Sequence, residues 1–278
     1  MLNMNEYHFP TRLGRLHVRV TGTGPPVVLW HSMFVDSSSW DRVLPELAAA
    51  RTVHLVDAPS CGSSDPLSEA ADISVCADAA VELLEEMQRR WGFGSVDWIG
   101  NAWGGHVGME VAARRPDLIS TLVAISAPTH PIDEALRRKV RMLLPLYRLV
   151  GLRGPVRSAI EETIFTDHSR AHDPEAVQLL RDAIGRAGRR ATILAIETAI
   201  LNRTDLNWAA QALTCPTLFV TTDDRGEWTP EEARAVVTTM VDAREVTVSG
   251  ARVIPALEQP DRLAEVVDEF WSRRTDPR

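Results

Sequence analysis

An α/β protein built on a largely parallel sheet is what this sequence predicts, and three observations predict it. Continuous apolar runs such as Pro26-Val27-Val28-Leu29-Trp30 read as strands buried on both faces. Amphipathic stretches alternate with them, the clearest from Ile73 to Trp91, where Val75, Ala79, Leu83 and Met87 recur at helical spacing. Between a strand-like run, Ser95 to Ile99, and a helix-like run, His106 to Arg115, lies the glycine-rich turn Gly100-Asn101-Ala102-Trp103-Gly104-Gly105.

In chain order, Arg15 to Val20 alternates as a strand, and Thr21-Gly22-Thr23-Gly24 turns it. The buried strand Pro26 to Trp30 ends at His31-Ser32-Met33-Phe34. A helix with Val43, Leu44 and Leu47 on one face follows Ser37-Ser38-Ser39-Trp40. Thr52 to Val56 is the next strand, and it runs into a turn-rich loop, Asp57 to Asp65. The helix at 73–91 leads to the glycine-rich turn, and Leu118 to Ser126 is another buried strand. The alternation then stops. Four successive helices are predicted, Ala135–Val150, Val156–Ile164, Pro174–Ala187 and Ala191–Asn202, punctuated by Gly151, Gly154 and Asp173-Pro174. A strand from Pro216 to Thr222, a helix from Pro230 to Met240, a strand from Glu245 to Val248 and a helix from Leu257 to Arg273 close the pattern. The expected organisation is a core of 1–130 and 208–278, with 131–207 inserted as a helical lid.

A chain of 278 residues with 45% hydrophobic content can bury one large core. A net charge of -8 gives no reason to expect a nucleic-acid partner. The cysteines, Cys61, Cys76 and Cys215, are too sparse for a disulfide framework and fit a reducing compartment. Met1 to Pro10 has no apolar segment of signal-peptide length, and no run reaches membrane-spanning length. The expectation is a soluble cytoplasmic protein without a membrane partner. Neither an H-E-x-x-H nor a paired C-x-x-C occurs, and the glycine turn lacks the Lys-Ser/Thr ending of a phosphate loop. No metal or cofactor is expected, and the oligomeric state stays open.

Strand, tight turn and helix form the setting of a nucleophile elbow, G-x-S-x-G. Here Ala102 stands at the nucleophile's place. Around it, five segments in register resemble the α/β-hydrolase superfamily. His31-Ser32 stands where that family has a His-Gly pair. Asp57 to Asp65 resembles its D-x-P-G-x-G-x-S-D loop. Gly100 to Gly105 is similar to its elbow, and Pro216 to Thr222 to the strand before its catalytic acid. Pro255 to Asp261 is similar to the segment after its catalytic histidine. The resemblance implies an α/β-hydrolase fold, with a mostly parallel eight-stranded sheet, helices on both faces and a helical lid. It also implies an oxyanion hole from the amides of Met33 and Trp103.

The family's triad does not carry over. Ala102 replaces the serine, and Val253 holds the histidine's place. Asp224 or Asp223 stands near the acid's place. The eight histidines all precede the last third of the chain, so restoring a serine at 102 would supply no base beyond the lid. His31 is a candidate base or a brace of its loop. His106 is a candidate base or a packed helix residue. Cys61 lies near the expected pocket mouth, where a thiol without a base partner is inert. A substrate could also bring its own base. The expected binding set is His31, Ser32, Phe34, Ala102, Trp103, Tyr147, Trp228 and Val253, with Trp30 and Trp40 as further wall candidates.

A pair of backbone amides can stabilise an enolate as well as a tetrahedral intermediate, and an enolate needs no nucleophile. Among α/β-hydrolase-fold proteins lacking both serine and histidine, the chain resembles the peptide epimerase type of bottromycin biosynthesis. That resemblance implies inversion at an aspartate Cα of a modified peptide, with the substrate's own carboxylate as base. The alternatives are a small-molecule or peptide-binding protein without activity, a cofactor-free lyase or cyclase, and a hydrolase carrying an engineered serine-to-alanine change.

Overall fold

The computed structural model describes residues 3–224 and 226–275. The outermost residues of the expected core and Arg225, in the loop of the expected acid, lie outside the described residues. The chain opens with β1 (Asn5–Thr11), β2 (Gly14–Gly22) and β3 (Pro26–Trp30), then a 3-10 turn at Ser37–Trp40 and α1 (Leu44–Ala48). β4 (Thr52–Val56), α2 (Ile73–Trp91), β5 (Val96–Asn101), α3 (Trp103–Arg114) and β6 (Ile119–Ile125) complete the first half. The helices α4 (Glu134–Val150), α5 (Gly154–Ile164), α6 (Asp167–His172), α7 (Pro174–Ala187) and α8 (Arg189–Ile196) follow, with a π-helical turn at Glu197–Leu201 and α9 (Asn207–Ala212). Then come β7 (Thr217–Thr222), α10 (Pro230–Val237), β8 (Ala243–Val248), α11 (Pro255–Glu258) and α12 (Pro260–Thr275).

Local chemistry accounts for most boundaries. Asp72 caps α2 by accepting from the Val75 N–H, and Gly92 ends it at φ 71°. Thr229 and Glu232 make a reciprocal capping box at α10. The single helix expected from Leu257 is broken in two, because Pro260 has no N–H to continue α11. β1, α6, α9 and α11 go beyond the sequence reading. β1 is an edge strand whose buried Phe9 stands alone among exposed and half-buried neighbours, so its alternation is faint.

The eight strands form one sheet in the order β1-β2-β4-β3-β5-β6-β7-β8. β2 runs antiparallel to both neighbours, and every pair from β4 to β8 is parallel. The order reverses between β3 and β5, which opens a crevice at their carboxyl ends. Side chains alternate across the sheet. Val28, Trp30 and Trp98 enter one apolar core, while Val27, Leu29 and Ile99 enter the other.

The helical insertion is stitched to loops that follow the strands. Arg42 grips Asp173 with two bonds of 2.5 and 2.9 Å, and Arg186 reaches Asp36 at 2.6 Å. The Ala71 N–H donates to Thr198 in the π turn at 3.0 Å, and Asn202 returns a bond to the Ala71 carbonyl at 2.7 Å. The Val253 N–H donates to the Ile164 carbonyl at 3.3 Å.

Candidate active site

The glycines at the end of β5 are required by space. A Cβ on Gly100 would sit 2.2 Å from the Gly104 backbone, and one on Gly104 would sit 2.1 Å from the Trp30 carbonyl oxygen. Strand β5, helix α3 and strand β3 therefore meet at backbone contact. The turn between them is borne by Ala102, at φ 46° and ψ -104°. A non-glycine residue there is strained by roughly 1–3 kcal/mol. Hydrogen bonds hold it in place. The Ala102 N–H donates to the Ile125 carbonyl at 2.7 Å, and its carbonyl accepts from the His106 N–H at 2.9 Å. The backbone is that of an elbow, with a methyl group in place of a hydroxyl.

The amides expected as an oxyanion hole belong to Met33, in the loop after β3, and Trp103, at the first position of α3. Among the described residues, neither N–H meets an acceptor. Trp103 heads a 12-residue helix, whose positive end adds to the pull on an anion. Phe34 follows Met33 at φ 72°, a second strained position, in the loop after β3. Ser32 is buried beside it.

The place expected for the histidine holds an apolar residue. Val253 is half-buried, and its carbonyl accepts from Asn101 Nδ2 at 2.9 Å. Asn101 Nδ2 also donates to the Ile125 carbonyl at 3.2 Å, so one side chain ties the elbow strand to position 253. Asn101 was not singled out by the sequence reading, because the residue before an elbow nucleophile varies in chemistry. Asp224 pairs with Arg252 at 2.8 Å, and Asp223 accepts from the Gly250 N–H at 2.9 Å. Arg252 is buried and also donates to the Glu162 carbonyl, while its own backbone N–H donates to Glu258 at 2.8 Å. Its carbonyl accepts from Thr222 at 2.5 Å.

The candidate bases separate clearly. His31 Nε2 accepts the Ala58 N–H at 2.9 Å, so its proton sits on Nδ1 and goes to the Ser32 carbonyl at 2.6 Å. Both nitrogens are spent, and burial lowers its pKa. His31 braces its loop. His106 is also buried, lies 3.1 Å from the Pro128 carbonyl and is held neutral by burial. Cys61 is buried, and its thiol is pushed well up by that burial.

The tryptophans expected as pocket walls pack into the cores. Trp30, Trp40, Trp103 and Trp228 are all almost wholly buried. Trp30 stacks on Trp98 at 5.7 Å, and Trp228 meets Phe219 edge-on at 4.9 Å. Tyr147 is buried with Val156, Ile164 and Phe165 inside the insertion's apolar layer, and burial raises its pKa. Among the described residues, no three His, Cys, Asp or Glu side chains converge as a metal set. No described helix is long and apolar enough to cross a membrane.

Buried histidines set an expected pH profile. Burial pushes His54 down to about 4 and also lowers His31 and His106. Each binds its proton more readily when unfolded, so its contribution is full above the ordinary value of 6.5 and lost as pH falls. His54 alone accounts for roughly 3 kcal/mol. His17 has the opposite sign. Its 2.8 Å bond to Asp57 raises its pKa, so its contribution is full below 6.5 and lost as pH rises through the raised value. Burial alone would raise Asp57, but His17, Ser63 and Ser37 hold it well below the carboxylate range. Unfolding free energy should therefore climb between pH 4 and 6.5 and slip modestly above. Chemical denaturation across that range checks this, and a flat acid limb would contradict it. In His17→Gln the alkaline slip should vanish.

Comparison with known proteins agrees with this architecture. Residues 27–266 match the model of the alpha/beta hydrolase family. The chain is 26% identical over 270 residues to a pimeloyl-[acyl-carrier protein] methyl ester esterase of Xanthomonas campestris, covering 92% of this chain and 98% of that one. It is also 26% identical over 193 residues to the Vibrio vulnificus esterase of the same name, covering 69% of this chain and 66% of that one. Its fold is similar to that of a thermophilic esterase from Thermogutta terrifontis, with TM-score 0.84, 23% identity and coverage of 97% and 98%. An enol-lactonase from Burkholderia xenovorans is equally similar in fold, with TM-score 0.84, 20% identity and coverage of 96% and 100%. These relatives are esterases and a lactonase, and none of the four is an epimerase. The match spans every strand from β3 to β8 and both flanking helical layers, so the chain belongs to the alpha/beta hydrolase family.

Proposed function

We propose that this chain is a non-hydrolytic enzyme of its family, which inverts a Cα centre next to a carbonyl in a modified peptide, an aspartyl residue being the favoured site. The observation that carries the reading is an elbow kept under strain around Ala102, with no acceptor among the described residues for the Met33 and Trp103 N–H groups and with apolar side chains at both 102 and 253. A hydrolase needs the hydroxyl and its base together. An enolate needs only donors and a base.

In this reading the substrate's side-chain carboxylate takes the Cα proton. The electron pair moves onto the adjacent carbonyl oxygen, between the Met33 and Trp103 amides and the positive end of α3. A proton drawn from solvent then adds to the opposite face of Cα, and the carboxylic acid releases the abstracted proton to solvent. His31 shapes the loop that aims the Met33 amide, and Asn101 holds Val253 against the elbow. The helical insertion, residues 131–207, acts as a lid that holds the peptide over the elbow. The names of the esterase relatives favour hydrolysis as the competing reading, and a non-catalytic binding pocket is the third.

Incubating aspartate-containing cyclic and heterocycle-bearing peptides with the protein in D₂O separates them. The expected result is deuterium at a single Cα, with an otherwise unchanged mass. A gain of one water would indicate hydrolysis. Binding without exchange would leave a carrier and sink the epimerase reading.

A further inference from the structure

The outer face of α4 carries chemistry that the pocket does not use. From residue 135 to residue 160 the chain has seven basic residues and no acidic one. This occurs in a protein whose net charge is -8. Most of the chain's arginines pair with carboxylates. Among the described residues, Arg138, Lys139, Arg141, Arg153 and Arg190 have no carboxylate within salt-bridge reach, and all five are exposed. The same helix exposes apolar side chains. Met142 is 70% and Leu149 77% exposed, and both stand among few exposed large hydrophobic residues. Arg138, Met142, Pro145 and Leu149 fall at i, i+4, i+7 and i+11, which aligns them in one stripe along the helix. At its C-terminal end, a cleft of about 380 Å³ opens between Arg148, Arg189, Arg190, Ile193, Leu194 and Glu197, where Glu197 is already paired with Arg148 at 3.0 Å and leaves the other two arginines for a ligand.

We infer that this face docks an acidic amphipathic helix of a partner polypeptide. Met142 and Leu149 would meet its apolar side, and the arginines would flank it as counter-charges. An acidic side chain at the partner's end would enter the cleft beside Arg189 and Arg190. An anionic membrane fits less well. The exposed apolar residues of α4 include no aromatic anchor, the cleft is concave, and the negative body of the protein would be repelled by such a surface. The surface does not depend on which reaction the pocket performs.

The test uses the full chain and a labelled synthetic helix of eighteen residues with leucines on one face and glutamates flanking them. A lysine-for-glutamate version and phosphatidylglycerol vesicles serve as the other arms. Fluorescence anisotropy should show saturable binding of the acidic helix alone. Arg138→Glu/Arg141→Glu should weaken it at least tenfold, and Met142→Ser/Leu149→Ser about fivefold. Arg262→Glu, an exposed site on α12, should leave it within twofold. Equal binding of the basic helix, no response to either α4 variant, or preferential capture by vesicles would each overturn the proposal.

Discussion

Arg252→Ala should lower the unfolding free energy by about 3 kcal/mol, the lower end of the range for breaking a buried ion pair by removing one partner. The arginine side chain is 6% exposed and Asp224 27%, so water and the carboxylate's other contacts partly compensate its loss of Arg252. The loss is not electrostatic alone. Arg252 also donates to the Glu162 carbonyl at the end of α5, which leaves an acceptor of the insertion unfilled. Urea denaturation with an unchanged slope would register the change as a lower midpoint. The double variant Arg252→Ala/Asp224→Ala should recover part of the loss, because it removes the charge that Arg252 neutralised. A loss below 1 kcal/mol would mean that Asp224 is not held by Arg252, and that the acid is available to another partner.

Hydrolysis should return only when two groups are restored together. Ala102→Ser alone is expected to leave p-nitrophenyl ester turnover at the background of the parent chain. The hydroxyl would stand on a well-formed elbow with no base to take its proton. Ala102→Ser/Val253→His supplies that base and should exceed the single variant by about 10²–10⁴, the usual contribution of a positioned general base. The gain should stop short of a full triad, since Asp224 faces Arg252 and would not orient the new imidazole. Brisk turnover by Ala102→Ser alone would show that a base exists which His31 and His106, both neutral and bonded, do not provide.

Much of the fold was legible because periodicity reports burial. Pro26 to Trp30 is a continuous apolar run and Thr52 to Val56 is rich in β-branched residues, and both strands lie where those stretches do. The elbow was legible because Gly100 and Gly104 must touch backbone. Position 253 was legible as a loss because Pro255 to Asp261 keeps its spacing from it. What the sequence could not reveal was direction. Trp103 and Trp228 read equally well as wall or core, and only packing places them in the core. Asp223 and Asp224 differ by one position in a turn, where the side chain's direction depends on backbone angles that no spacing encodes. Asn101 gave no signal at all. Its partners are carbonyls at residues 125 and 253, and any residue supplies a carbonyl.

That asparagine has a mechanical consequence. Its amide rivets the last residue of β5 to the loop beyond β8, across more than half of the chain. The peptide before Ala102 and the backbone of Val253 are thereby fixed to one frame. A ligand that presses on Val253 also loads the peptide leading into Ala102, so strain at the elbow and occupancy above it rise and fall together.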